Sequence, residues 1–200
     1  MNILSTRRRP TPCPTRAPER HRLESGDEGH SPVGSITHAA VEATDALLHA
    51  THLTRSHTPE LSHLGEGLRA GVGALALARG TQALLSGKGI HAKLEGMASL
   101  GLGVASTASL FHSGAAATVS AAAQSVRGLS EVALGGYQLY HYTHAGEHHE
   151  KSQLAKGLLN CAKGATTFIP MFAPHAGSAV GVLHLGIVGA SLALELAHPE

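Results

Sequence analysis

Residues 96–126 read GMASLGLGVASTASLFHSGAAATVSAAAQSV, 31 positions without one Asp, Glu, Lys or Arg. A helix at the surface of a water-soluble domain shows a charge every turn or two on its wet face. A chain that omits charge for this long hides that surface, in lipid or in protein. The stretch has no sustained period-two alternation and little β-branched clustering, so it reads as helix. His112-Ser113-Gly114 can make a tight turn inside it. The spacing therefore predicts a helix over 90–111 and a partner returning over 115–142, which together make a hairpin. Arg127 and Glu131 lie inside the returning helix, which sets it apart from an ordinary transmembrane span.

Working outward, a second stretch, 164–194, is also free of charge. It begins inside a helix expected over 152–169, stopped by Pro170 and Pro174. It ends in a helix over 177–197, long enough to cross a hydrocarbon core of ~30 Å. Upstream, Thr58 is a candidate N-cap before Pro59 and Glu60, opening a helix that runs to about Ser86. Residues 36–55 form an amphipathic helix with Ala40, Ala43, Leu47 and Leu48 on one side. Residues 1–34 carry Pro10, Pro12, Pro14, Pro18 and Pro32 beside Arg7, Arg8 and Arg9, and read as a disordered tail. Prolines stand where a secretory signal would need an apolar core, so either the protein stays in the cytosol of its maker or it leaves by a route that reads a disordered start. The expected fold is all-α: a disordered tail (1–34), an amphipathic helix (35–57) and Gly/Ala-rich hydrophobic helical hairpins (58–200) that associate with membranes.

Composition agrees with a hidden surface. Charged residues are 14% of the chain, against about 25% in soluble domains. There is no Trp, and only three Tyr and three Phe, so the apolar material is small and must pack closely. A net charge of +1 supplies no field for nucleic acid. Cys13 and Cys161 are too few and too far apart for a disulfide framework or a zinc set. The 16 histidines outnumber either sign of formal charge, which makes an acidic compartment a candidate trigger.

Glycines recur at intervals of seven: Gly73, Gly80 and Gly87; Gly89, Gly96 and Gly103; Gly128 and Gly135; Gly157 and Gly164. Seven residues are nearly two helical turns, so each set shares a face. Gly67 with Gly71, and Gly177 with Gly181, add the four-residue spacing. A mid-helix glycine costs ~1 kcal/mol relative to alanine in water. Close approach of two helix backbones is the usual compensation, above all between membrane helices. Gly96, Gly103, Gly128, Gly135, Gly157, Gly164, Gly177 and Gly181 are the candidate helix-packing positions. The alternative is a soluble helical scaffold with an Ala/Gly seam, or a chaperone-bound interaction protein.

Between the charge-free stretches lies a polar patch. Tyr137, Tyr140 and Tyr142 are all the tyrosines, and their amphipathic rings suit a membrane interface. His141, His144 and His148 would share one helix face and are candidate ligands for zinc, nickel or copper, although Gly146 interrupts that helix. They open a further alternative, a histidine-based metal- or pH-responsive binder. No Gly-x-Ser-x-Gly elbow is present, Gly87-Lys88-Gly89 lacks a P-loop frame, and Asp27 and Asp45 join no histidine–nucleophile set. No enzyme activity and no cofactor is expected.

The centre of the chain resembles the SseF/SseG type of type III secretion effectors. The resemblance rests on the Gly/Ala-rich helix ending Ala133-Leu134-Gly135-Gly136, then Tyr140-His141-Tyr142-Thr143-His144 and His148-His149, then Leu158-Leu159-Asn160-Cys161. It covers roughly 96–194. It implies a non-enzymatic, secreted virulence protein that associates with host endomembranes or works from the host cytoplasm. It also implies a secretion chaperone, and action through Golgi or cytoskeletal (microtubule-linked) partners on the position of a vacuole.

Overall fold

The short turns at 87–88 and 109–113 each send a helix back along the one before it. The computed structural model describes residues 40–41, 43–44, 61–144, 151–172 and 177–197. They form five long helices: α1 Leu61–Ser86, α2 Gly89–Ala108, α3 Gly114–His144, α4 Lys151–Phe172 and α5 Gly177–Ala197. No strand occurs among the described residues, so the fold is all-α. Residues 40, 41, 43 and 44 are also helical, within the expected 36–55 helix. The tail, the rest of that helix, the Thr58-Pro59 cap and the 145–150 connector lie outside the described residues.

The turns follow from their residues. Gly87 ends α1 because a Cβ there would strike the Ala83 carbonyl, which already accepts the Gly87 N–H at 3.0 Å. Lys88 is extended and Gly89 opens α2 at φ 90°, a value glycine adopts freely. The Gly-Lys-Gly triplet is thus a helix–helix turn. α2 stops at Ala108, three residues before the expected end. Leu110 and Phe111 donate to the Thr107 and Ala108 carbonyls at 3.1 and 3.0 Å, a tighter winding that leaves the helix. Ser113 then caps α3, accepting the Ala116 N–H at 3.2 Å.

α4 corrects a second boundary. Pro170 lies inside it, and the helix continues to Phe172. Proline removes one backbone bond, the one the Thr166 carbonyl would accept. The helix absorbs that loss near its end, where only two more residues follow.

Among the described residues, each helix packs only on its neighbours in the chain: α1 on α2, α2 on α3, α3 on α4 and α4 on α5. The result is a layer of helices packed in chain order. Val41 joins Val72, Ala76 and Leu102 in a small buried cluster on one side of α1 and α2.

Candidate functional site

Glycine sets the spacing at both hairpins. Between α1 and α2, a Cβ on Gly80 would stand 2.8 Å from the Gly96 carbonyl oxygen, and one on Gly96 3.1 Å from that of Gly80. A Cβ on Gly103 would meet the Leu77 nitrogen at 2.8 Å, and one on Gly73 the Thr107 hydroxyl at 2.6 Å. Between α3 and α4 the contacts are again reciprocal. Gly135 would meet the Gly157 carbonyl at 2.5 Å, and Gly164 that of Gly128 at 2.5 Å. A step of seven up one helix is a step of seven down its partner, which is how antiparallel helices keep one seam.

Six of the eight candidate packing glycines therefore lie in helix–helix contacts. Gly177 and Gly181 sit in the first turns of α5. Gly67 and Gly71 have nothing within 4 Å of a notional Cβ, so their four-residue spacing marks no contact. Gly101 was missed by spacing. It holds the α2–α3 crossing, where a Cβ would lie 2.8 Å from the Ala123 carbonyl and 2.9 Å from Arg127 Cβ.

On α3, α4 and α5 several polar and charged side chains are buried while large apolar ones are exposed. Arg127 and Glu131, the formal charges of α3, are only 4% and 5% exposed. Arg127 Nε donates to Glu131 Oε1 at 2.9 Å, an i, i+4 pair inside the layer. Glu131 Oε2 is buried without a hydrogen-bond partner. On α4, Lys163 is buried, and so is Thr166, whose Oγ1 lies 2.7 Å from Nδ1 of the buried His184 on α5. Meanwhile Leu129, next to that ion pair in sequence, is 63% exposed and Phe172 is 85% exposed. Val126, Leu158 and Leu183 are also exposed. α5 follows the same rule, turning His184 inward and Val182, Leu183 and Leu196 outward. Its segment Ala179–Ala197 is the one helix among the described residues long and apolar enough to cross a membrane.

Polar side chains also tie the helices together at one end. Gln138 on α3 lies 3.2 Å from His91 Nε2 on α2, and its Oε1 accepts from Asn160 of α4 at 2.9 Å. The tyrosines stand at this end. Tyr137 is half-buried between His91 and His141, with ring centroids 6.3 and 4.3 Å away. Tyr140 is exposed and stacks on His144 at 4.1 Å. Tyr142 is half-buried. His144 Nδ1 donates to the Tyr140 carbonyl at 2.8 Å, which leaves Nε2 for any outside partner. His148 lies outside the described residues, and among those described no group of three metal-capable side chains forms.

No family model, curated protein or solved structure matches the chain.

Proposed function

We propose that this protein is a non-enzymatic type III secreted effector that resides on host endomembranes and works through contacts with other proteins. The observation that carries the membrane part is the inverted surface of α3, with its ion pair inside and Val126 and Leu129 outside. In water, exposed apolar side chains give up the burial that stabilises a domain, and buried charges cost several kcal/mol each. In lipid the exposed apolar side chains are favourably placed, and the few charges a membrane protein carries face its interior in pairs. The apolar segment Ala179–Ala197 adds weight. The effector part rests on the resemblance of 96–194 to SseF/SseG-type proteins. It brings with it a secretion chaperone, a Golgi- or microtubule-linked host partner and a role in placing a vacuole.

Two experiments test the reading. The full chain expressed in host cells should stay with the membrane pellet through alkaline carbonate extraction, and recovery in the supernatant would sink the membrane assignment. Residues 1–34 fused to a reporter should be exported by a bacterium with a type III apparatus and retained by one lacking it. Export in both would remove the secretion assignment.

A further inference from the structure

The two charge-free stretches, 96–126 and 164–194, are far apart in the chain but meet at one end of the molecule. Ser120 Oγ donates to the Ala105 carbonyl at 3.3 Å, and Gly101 faces Ala123. The last turns of α2 therefore lie beside the first turns of α3. Gly128 faces Phe168 and Gly135 faces Cys161, so the last turns of α4 lie beside the same part of α3. Thr166 meets His184, which brings the first half of α5 there as well. From α2 to α5 this end holds no Asp, Glu, Lys or Arg. Arg127, Glu131 and Lys163 stand at mid-length of their helices, and the other charges of these four helices lie toward the far end. Helix α1 brings Glu66 and Arg69 to the near end, but at its edge, since among the described helices α1 packs on α2 alone.

Phenylalanine leads at this end. Phe111, in the α2–α3 turn, is 65% exposed, and Phe172, at the close of α4, is 85% exposed. The polar groups of the turn are answered within it. Ser109, Leu110 and Phe111 donate their N–H groups to carbonyls of α2. Ser109 Oγ donates to the Ser106 carbonyl at 2.7 Å, and Thr118 Oγ1 to that of Gly114 at 3.1 Å.

We infer that this end enters the membrane as a wedge. The α2–α3 turn and the close of α4 sit at the boundary of headgroups and acyl chains, with Phe111 and Phe172 among the acyl chains of one leaflet. None of α1 to α4 has to cross. This rests on the membrane residence proposed above, and names the part of the molecule that enters. Three features select lipid as the occupant. A protein interface keeps a polar rim around its apolar centre, whereas charge is missing here from four consecutive helices. Backbone groups bonded within the turn are what lipid demands and water does not. The one described helical segment apolar and long enough to cross, Ala179–Ala197, starts at this end. From Gly164 to Phe172 α4 rises about 12 Å, within half of a ~30 Å hydrocarbon core.

The chain has no Trp, so single-Trp variants report position. Full-length Phe111→Trp, Phe172→Trp, Leu183→Trp and Leu85→Trp are bound to phosphatidylcholine vesicles with brominated acyl chains. Leu85 is 82% exposed near the opposite end. Phe111→Trp and Phe172→Trp should both be quenched by bromine, and Leu85→Trp only by iodide in the water. Bromine quenching of Leu85→Trp as strong as that of the phenylalanine sites overturns the end-on orientation. Shielding of those sites from iodide without bromine quenching means that another copy of the chain covers this end, and overturns the lipid assignment. Quenching of Leu183→Trp alone means that α5 enters by itself; it overturns the wedge and leaves membrane residence standing. Phe111→Asp and Phe172→Asp should each weaken vesicle binding about tenfold, with helix content unchanged and Leu85→Asp without effect. Equal loss in all three, or no loss in any, overturns the wedge. Failure of the parent chain to bind vesicles, together with carbonate release from host membranes, fails the underlying reading instead.

Discussion

Gly135 and Gly136 are neighbours in the chain with opposite roles, and substitution should reveal it. A Cβ on Gly135 meets the Gly157 carbonyl and Cys161 Sγ at 2.5 Å, while one on Gly136 meets nothing within 4 Å. Gly135→Ala should destabilise the chain by about 1–3 kcal/mol, as overpacking does. Gly136→Ala should stabilise it by up to ~1 kcal/mol through helix propensity. Denaturant midpoints decide, and a shift of the same sign in both would refute the seam. Arg127→Ala should cost about 3–5 kcal/mol, because it strands Glu131 in the layer. The double replacement Arg127→Met with Glu131→Leu should recover most of that loss in the same measurement. The seven-residue glycine intervals made the first contrast half-legible, since they single out Gly135. Nothing in the sequence says that Arg127 and Glu131 face inward. Their i, i+4 spacing suits an exposed pair equally well, and only the Gly101 crossing places Arg127 between helices.

At the scale of the element, absence of charge located the hairpins, and turn chemistry located their ends within a few residues. The α5 boundaries fell where the helix period put them. The end of α2 came early because Leu110 and Phe111 wind tightly ahead of the Ser113 cap, a preference that apolar periodicity does not carry. The end of α4 came late because a proline breaks a helix less near its terminus than in its middle. Pairing register was invisible until the two glycine sets of a hairpin were laid against each other, since spacing within one helix does not state which residues oppose which across a seam. The difference between helices with two neighbours and one has a measurable outcome. Among the described residues α5 packs on α4 alone, so its amides should exchange with deuterium faster than those of α3 around Ser130. Equal protection of the two helices would mean that α5 is held by something more than α4.

For the whole molecule, the sequence announced a helical, apolar, glycine-lined protein, and left open how its helices are ordered in space. The candidate site was legible in its parts. The tyrosine and histidine patch was visible, but its ties to His91 and Asn160 through Gln138 span positions too distant in the chain for any motif to register. The exposed apolar side chains, Met97, Val104, Val126 and Leu129 among them, were hidden for a different reason: apolar residues at helical spacing read as core until the packing shows buried faces lined largely by Gly, Ala and Ser. The order of helices itself has a mechanical meaning. Among the described helices, every seam joins segments consecutive in the chain, so tension applied along them meets the seams singly and in series. Each peels away as one antiparallel pair, and no contact between described helices further apart in the chain has to be broken first. A molecule built this way can be drawn lengthwise through a narrow conduit against a succession of small resistances, and it can wind itself up again on the far side from whichever end emerges first.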